Sequence, residues 1–78
     1  MIIGENNMSE NKVKITYKPL WKLLIDRHVT KTELRKKTQI ASSTFTKMNN
    51  DHQVSLDILA RICVELKCGF DDIVEIER

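Results

Sequence analysis

The fold is decided by residues 30–48, which read TKTELRKKTQIASSTFTKM. Thr30 and Glu33 have the spacing of a capping box, in which the Thr hydroxyl accepts the Glu N–H and the Glu carboxylate accepts the Thr N–H. This pattern predicts a helix that begins at Thr30 and ends near Thr38. Residues 39–41 interrupt the helical pattern.

A second short helix is predicted for residues 42–49. Its apolar residues Phe45 and Met48 are spaced i, i+3, so both lie on one side of the helix. Two short helices joined by about three residues are typical of a helix-turn-helix. The sequence therefore predicts a helix-turn-helix unit over residues 30–49, held in the domain by Leu34, Ile40, Phe45 and Met48.

The segments before this unit are less regular. Residues 1–11 are polar and lack periodicity, so we expect a disordered leader. Residues 13–17 alternate apolar and polar side chains, and residues 73–77 are rich in β-branched residues, which predicts two short strands that can pair. Pro19 suits the first turn of a helix, and an apolar helix is predicted from there to about His28.

A further helix is predicted after the unit, capped by Ser55. Its apolar positions follow a helical period, and they are Leu56, Leu59, Ala60, Cys63 and Leu66. Gly69 is expected to close this helix, and residues 71–74 to add a short fifth turn. The predicted architecture is all-α, a compact domain of four to five helices over residues 12–78, with a short terminal β pairing.

Composition excludes several classes of protein. The chain has 78 residues, 41% hydrophobic and 31% charged, which is typical of one small soluble domain. It lacks a signal peptide and an apolar run long enough to span a membrane, so we expect no membrane contact and a cytoplasmic location. Cys63 and Cys68 are out of phase on a helix, so their thiols are expected to face different sides and stay free, with no metal site.

Charge is unevenly distributed along the chain. Residues 11–49 hold eight Lys and two Arg against two acidic residues, which gives +8, whereas residues 50–78 hold three basic and seven acidic residues, which gives −4. A basic segment of this size indicates a surface for a polyanion.

The second helix of the unit has an outer face of short polar side chains and one Lys. Such side chains suit hydrogen bonding to base edges in a DNA groove. The N-termini of the two helices, at Thr30 and Ser42, offer backbone N–H groups to phosphate oxygens. Counterion release would favour binding through the basic residues, which are Lys31, Arg35, Lys36, Lys37 and Lys47.

Four blocks of the sequence resemble the phage-repressor or Cro-type helix-turn-helix (XRE family), and they are closest to its small single-domain members. The resemblance is carried by YKPLWKLLID at 17–26, TKTELRKKTQIASSTFTKM at 30–48, VSLDILARICVEL at 54–66 and DDIVEI at 71–76. It implies a lambda-repressor-like domain whose third helix enters the DNA major groove, with the protein acting as a homodimer.

The site residues follow from the matched positions and the basic face. The base-reading residues are expected to be Ala41, Ser42, Ser43, Thr46, Lys47 and Asn50. The residues expected to contact the DNA backbone are Thr30, Lys31, Thr32, Arg35, Lys36, Lys37 and His52. The chain departs from the family pattern at three positions. Arg35 replaces a small residue, Gln39 replaces the turn Gly and would need a left-handed backbone, and Ala41 replaces a Ser or Thr cap, so that Ser42 could become the cap.

Two functions from different classes remain open. The first is a sequence-specific transcriptional regulator, a repressor, that binds double-stranded DNA as a dimer. The two copies are expected to contact each other through residues 70–76, the end of the fourth helix and the 13–17 strand. The second is an antitoxin-like or anti-repressor-like module that acts mainly through a protein partner. Catalysis is rejected, since the sequence shows no nucleophile–base pair, phosphate loop or metal-ligand spacing, and no cofactor is expected.

Overall fold

The computed structural model of the protein describes residues 13–77, so the predicted leader, residues 1–11, lies outside the described range. Within that range the chain forms β1 (Lys14–Thr16), α1 (Lys18–Asp26), α2 (Lys31–Thr38), α3 (Ser42–Asn49), α4 (Leu56–Leu66), a 3₁₀ turn (Phe70–Asp72) and β2 (Glu75–Glu77). The predicted helical architecture with a terminal strand pairing is confirmed. None of the helices in this range is long and apolar enough to cross a membrane.

The two strands pair antiparallel and join the two ends of the described chain. Lys14 lies opposite Glu77, and Ile15 lies opposite Ile76. Each pair is favourable, because one joins opposite charges and the other joins β-branched apolar side chains on one face of the sheet.

The core holds the helix-turn-helix unit in the predicted way. The buried apolar residues are Tyr17, Leu20, Leu24, Leu34, Ile40, Phe45, Met48, Leu59, Ile62, Cys63, Leu66 and Ile73. The prediction for α4 is wrong at one end, because Leu56 is 71% exposed whereas Ile62 is fully buried. At 3.6 residues per turn the buried residues of α4 span an arc of about 100°, and Leu56 lies outside it in the first turn.

All four helices of the described range end in the same backbone motif. One or two residues after each helix end, the chain has a left-handed residue although none is Gly, with φ between 54° and 58° at His28, Gln39, Asp51 and Lys67. In each case the left-handed residue and its successor donate N–H groups to carbonyls of the last helical turns, the arrangement of a Schellman motif. Gln39 therefore adopts the backbone that its position predicts, whereas α4 is closed by Lys67 and not by Gly69, whose φ is −101°.

This turn corrects the prediction for the two cysteines. After the left-handed Lys67, the N–H of Cys68 donates to the Cys63 carbonyl at 3.0 Å, which returns Cys68 to the same side as Cys63. Both cysteines are free, and each thiol affects the pKa of the other. Burial is the main cause that raises the pKa of Cys63, to about 11. Across residues 13–77, no cluster of three or more His, Cys, Asp or Glu could hold a metal ion.

Candidate nucleic-acid interface

The outer face of α3 collects most of the residues predicted to read bases. Phe45 and Met48 are buried, which fixes the opposite side of the helix toward solvent. At 3.6 residues per turn the outward residues span an arc of about 140°. We call this surface the recognition face, and its members, all exposed, are Ser42, Ser43, Thr46, Lys47 and Asn50.

Ala41 precedes the recognition face as the cap of α3. It has an extended backbone, with φ −63° and ψ 146°, and contributes no side-chain cap. The expectation that Ser42 becomes the cap is wrong, because Ser42 already has helical geometry as the first residue of α3. The first N–H groups of a helix have no partner within it, so this uncapped end presents donors beside the recognition face.

Two side chains of the recognition face bond to their own helix. The Thr46 hydroxyl donates to the Ser42 carbonyl at 3.1 Å, and Nδ2 of Asn50 donates to the Thr46 carbonyl at 3.0 Å. These bonds restrict the rotamers of both side chains. The Asn50 Oδ1 and the Thr46 methyl group remain available for other contacts.

The predicted capping box at the start of α2 is present. The Thr30 hydroxyl accepts the Glu33 N–H at 3.0 Å, and Glu33 Oε1 accepts the Thr30 N–H at 2.9 Å. Hydrogen bonds from the backbone and side chain of Thr30 lower the pKa of Glu33. Thr30 therefore fixes the helix start, and its oxygen is already engaged there.

Lys31 connects α2 to the end of α3. Its ammonium donates to Oδ1 of Asn49 at 2.9 Å and lies 4.1 Å from the centre of the Trp21 ring. Trp21 in turn packs on Phe45, with ring centres 6.1 Å apart. Sequence reasoning missed Trp21 and Asn49 as partners of Lys31, and no periodic pattern could reveal them because the three residues lie on three different helices.

Sequence comparison agrees with this geometry. The model of the Cro/C1-type HTH DNA-binding domain matches residues 19–78. The chain belongs to the family of Cro/C1-type helix-turn-helix DNA-binding domains. A crystal structure of the transcriptional regulator VanUg is similar, with 45% sequence identity and a TM-score of 0.82, covering 83% of this chain and 87% of that chain. No curated protein matches the chain.

The basic residues of this Cro/C1-type domain do not all share one side of α2. Helical spacing places Lys31 with Arg35, and Thr32 with Lys36, as neighbouring pairs on the surface. Lys37 instead lies one turn after Glu33 and lines a groove against the outer side of α4 with residues that include Asp57 and Arg61. The structure thus separates Lys37 from the other predicted backbone contacts.

His52 lies just beyond the recognition face. Its N–H donates to the Lys47 carbonyl at 2.8 Å, and its own carbonyl accepts the Tyr17 hydroxyl at 2.8 Å. The imidazole is exposed. His52 is therefore fixed by its backbone at the end of α3, with its side chain free.

Proposed function

We propose that this Cro/C1-type domain is a transcriptional regulator, a repressor, that binds DNA as a homodimer with α3 in the major groove. The observation that carries the proposal is the recognition face, a polar and exposed side of a helix whose other side is buried through Phe45 and Met48. A single α-helix fits the major groove of B-DNA, where each base pair presents a distinct set of donors and acceptors. The related VanUg protein is itself a transcriptional regulator.

The recognition face supplies the chemistry for reading bases. Lys47 can donate to guanine O6 and N7, and Asn50 can bond an adenine edge. Hydroxyl groups of Ser42, Ser43 and Thr46 can donate or accept, and the methyl groups of Ala41 and Thr46 suit contact with thymine.

The start of α2 supplies contacts to phosphates. Lys31 uses one of its three donors on Asn49, which leaves donors for a phosphate and holds the ammonium in place. We assign the same role to Thr30, Thr32, Arg35, Lys36 and His52, and to the free N–H groups at the start of α3. Lys37 is left out of this set, because its groove faces the outer side of α4.

A second copy would bind through the apolar surface formed by the terminal sheet and the 3₁₀ turn. Phe70 is 46% exposed and Ile76 is 51% exposed, and they line one depression with Ile15 and Val74. We call these four residues the dimer face. A dimer places two recognition helices about 34 Å apart, on successive major grooves of one side of the DNA. Binding to an operator that overlaps a promoter would then keep other proteins off that promoter. The protein would act in the cytoplasm, and it would need no catalysis.

A protein partner is the second candidate function. Val64 is 77% exposed on the outer side of α4, and Leu56 is 71% exposed in its first turn; neither belongs to the dimer face. Exposed apolar side chains suit a protein contact. An antitoxin-like or anti-repressor-like module would use such a surface in preference to the recognition face.

Fluorescence anisotropy tests the proposed function. The protein is titrated against its own upstream DNA and a scrambled duplex at several salt concentrations. A preferred sequence is also selected from a pool of random duplexes and titrated in the same way. We expect preference for one sequence and an affinity that falls with salt on a log–log line. No binding to any duplex at low salt, with the fold intact by circular dichroism, would favour the protein partner.

Lys47→Ala identifies the recognition face within that assay. If Lys47 bonds a phosphate, the salt slope falls by roughly one unit for all duplexes, and if it bonds a base, specific affinity falls by about 1–3 kcal/mol. Lys37→Ala is the matched control, since it removes the same charge from the groove beside α4. Equal losses for the two variants would mean that only net charge matters and that the recognition face is wrongly assigned.

A further inference from the structure

The left-handed turn after α3 is bonded to the junction of β1 and α1. The Tyr17 N–H donates to Oδ1 of Asp51 at 3.1 Å, and the Tyr17 hydroxyl donates to the His52 carbonyl at 2.8 Å. Tyr17 is fully buried, and burial is the main cause that raises its pKa, so the hydroxyl stays protonated and able to donate. We call Tyr17, Asp51 and His52 the clasp.

Asp51 differs from the other left-handed residues that end helices. Among the described residues, the side chains of His28, Gln39 and Lys67 make no hydrogen bond, whereas the Asp51 carboxylate accepts a buried backbone N–H. Gly would adopt the same backbone at lower cost. A carboxylate one residue from Asn50 also repels DNA phosphates. Compared with Gly, an Asp at this position is therefore less favourable for both the turn and the DNA affinity. The favourable contribution of Asp51 is its hydrogen bond to Tyr17.

The clasp acts on the last turn of α3. The Asp51 N–H donates to the Met48 carbonyl at 3.0 Å, and the His52 N–H donates to the Lys47 carbonyl at 2.8 Å. The turn held in this way includes Lys47 and leads into Asn50, both on the recognition face. Recognition of bases tolerates displacements of only about 0.5 Å, so the position of this turn affects which bases are read.

We propose that Asp51 is a positioning residue for DNA recognition, which locks the C-terminal end of α3 to Tyr17 and thereby sets the placement of Lys47 and Asn50. The inference rests on the proposed DNA binding. Asp51 itself contacts no base in this arrangement. Its loss is expected to lower the preference for one DNA sequence more than the affinity for DNA of any sequence. Because Tyr17 directly follows β1, the clasp also connects the recognition helix to the terminal sheet.

Two substitutions at Asp51 separate positioning from charge. Asp51→Gly and Asp51→Asn both remove the negative charge and both tolerate a left-handed backbone, but only Asn keeps an oxygen that can accept the Tyr17 N–H. Affinities are measured for a duplex selected with the wild-type protein and for a scrambled duplex. We expect Asp51→Gly to lower the ratio of the two affinities by about tenfold, comparable to losing one base-pair contact, and Asp51→Asn to leave it within about twofold.

Amide hydrogen exchange gives a readout that does not depend on DNA. Asp51→Gly should speed exchange at the Tyr17 amide, and Asp51→Asn should preserve its protection. Tyr17→Phe, which removes only the bond to the His52 carbonyl, serves as a second variant if Asp51→Gly fails to fold, and it should lower the affinity ratio in the same direction.

The outcomes separate the two proposals. Faster exchange with an unchanged affinity ratio would show a structural bond without a positioning role, and unchanged exchange would show that the clasp does not form; either result overturns the inference. If the wild-type protein prefers no duplex, the proposed function fails and this inference fails with it, whereas a preference that Asp51→Gly leaves intact overturns the inference alone.

Discussion

At the scale of single residues, the most informative positions are the left-handed residues that end the four helices. A left-handed backbone costs an L-residue with a Cβ roughly 1–2 kcal/mol relative to helical geometry. His28, Gln39 and Lys67 are exposed and carry this cost with no side-chain bond to offset it among the described residues. The chain therefore stores avoidable strain at these helix ends, and Gln39 lies in the turn of the helix-turn-helix itself.

Gln39→Gly should raise the free energy of unfolding by about 0.5–1 kcal/mol. Gly relieves the strain at φ 57° but has more freedom in the unfolded chain, so the gain is smaller than the strain itself. Urea unfolding measures it as a higher midpoint at an unchanged slope. Gln39→Ala is the control, because it removes the same exposed side chain while keeping the Cβ; a stability of Gln39→Gly no higher than that of Gln39→Ala would contradict the strain.

At the scale of elements, the capping box of α2 makes helix stability depend on pH. The pKa of Glu33 is lowered in the folded protein by its bonds with Thr30. A carboxyl with a lowered pKa stabilises the fold above its unfolded pKa, near 4.5, and this contribution is lost as the pH falls through the folded pKa. The acid side of the stability profile should therefore contain a contribution from this one residue.

Glu33→Gln should be less stable than the wild-type protein at pH 7, and the difference should shrink as the pH falls below about 4. Gln keeps an acceptor for the Thr30 N–H but lacks the charge that the helix N-terminus favours. Thermal unfolding between pH 7 and pH 2 measures the difference. Glu65→Gln, on the exposed side of α4, corrects for the change in net charge, and a constant gap between wild type and Glu33→Gln over the whole range would exclude the capping contribution.

Elements with local signals were predictable from the sequence. The capping box and the period of Phe45 and Met48 predicted α2 and α3, because caps and helical spacing depend on residues within one turn of each other. The pairing of β1 with β2 was also predicted, from the alternation of residues 13–17 and the β-branched residues of 73–77. The end of α4 at Lys67 was not predicted. Gly69 is the residue type that usually ends a helix, and nothing in the sequence indicates that Lys67 adopts a left-handed backbone.

Specific side-chain contacts between elements could not be predicted from the sequence. The site of Lys31 with Trp21 and Asn49, and the bond of Asp51 to Tyr17, each join residues far apart in the chain, so no spacing rule connects them. The recognition face itself was predictable because it is the complement of a local apolar pattern. The placement of Lys37 away from it depended on how α2 packs on α4.

At the scale of the whole molecule, one recognition face would be a modest surface for DNA. It carries one Lys and no Arg, and in the proposed arrangement it would read only a few base pairs. Joining two copies makes the second contact effectively intramolecular and multiplies affinity without any new type of contact. In the proposed arrangement the dimer face would therefore decide whether this domain occupies an operator, through apolar residues that contact no DNA.

Ile76→Ser should shift the protein from dimer to monomer while the fold persists. Ile76 is half-exposed in the single chain, so its truncation costs the monomer little, whereas a dimer would lose an apolar contact at its centre. Sedimentation equilibrium at high micromolar concentration measures the mass, and DNA affinity should fall with it. Val64→Ser on α4 removes a similar exposed apolar side chain outside the dimer face and should leave both unchanged. A monomeric wild-type protein at this concentration would contradict the dimer itself, and the link that the clasp makes between terminal sheet and α3 would then serve a single chain. An equal effect of Val64→Ser would instead place the contact between copies outside the dimer face.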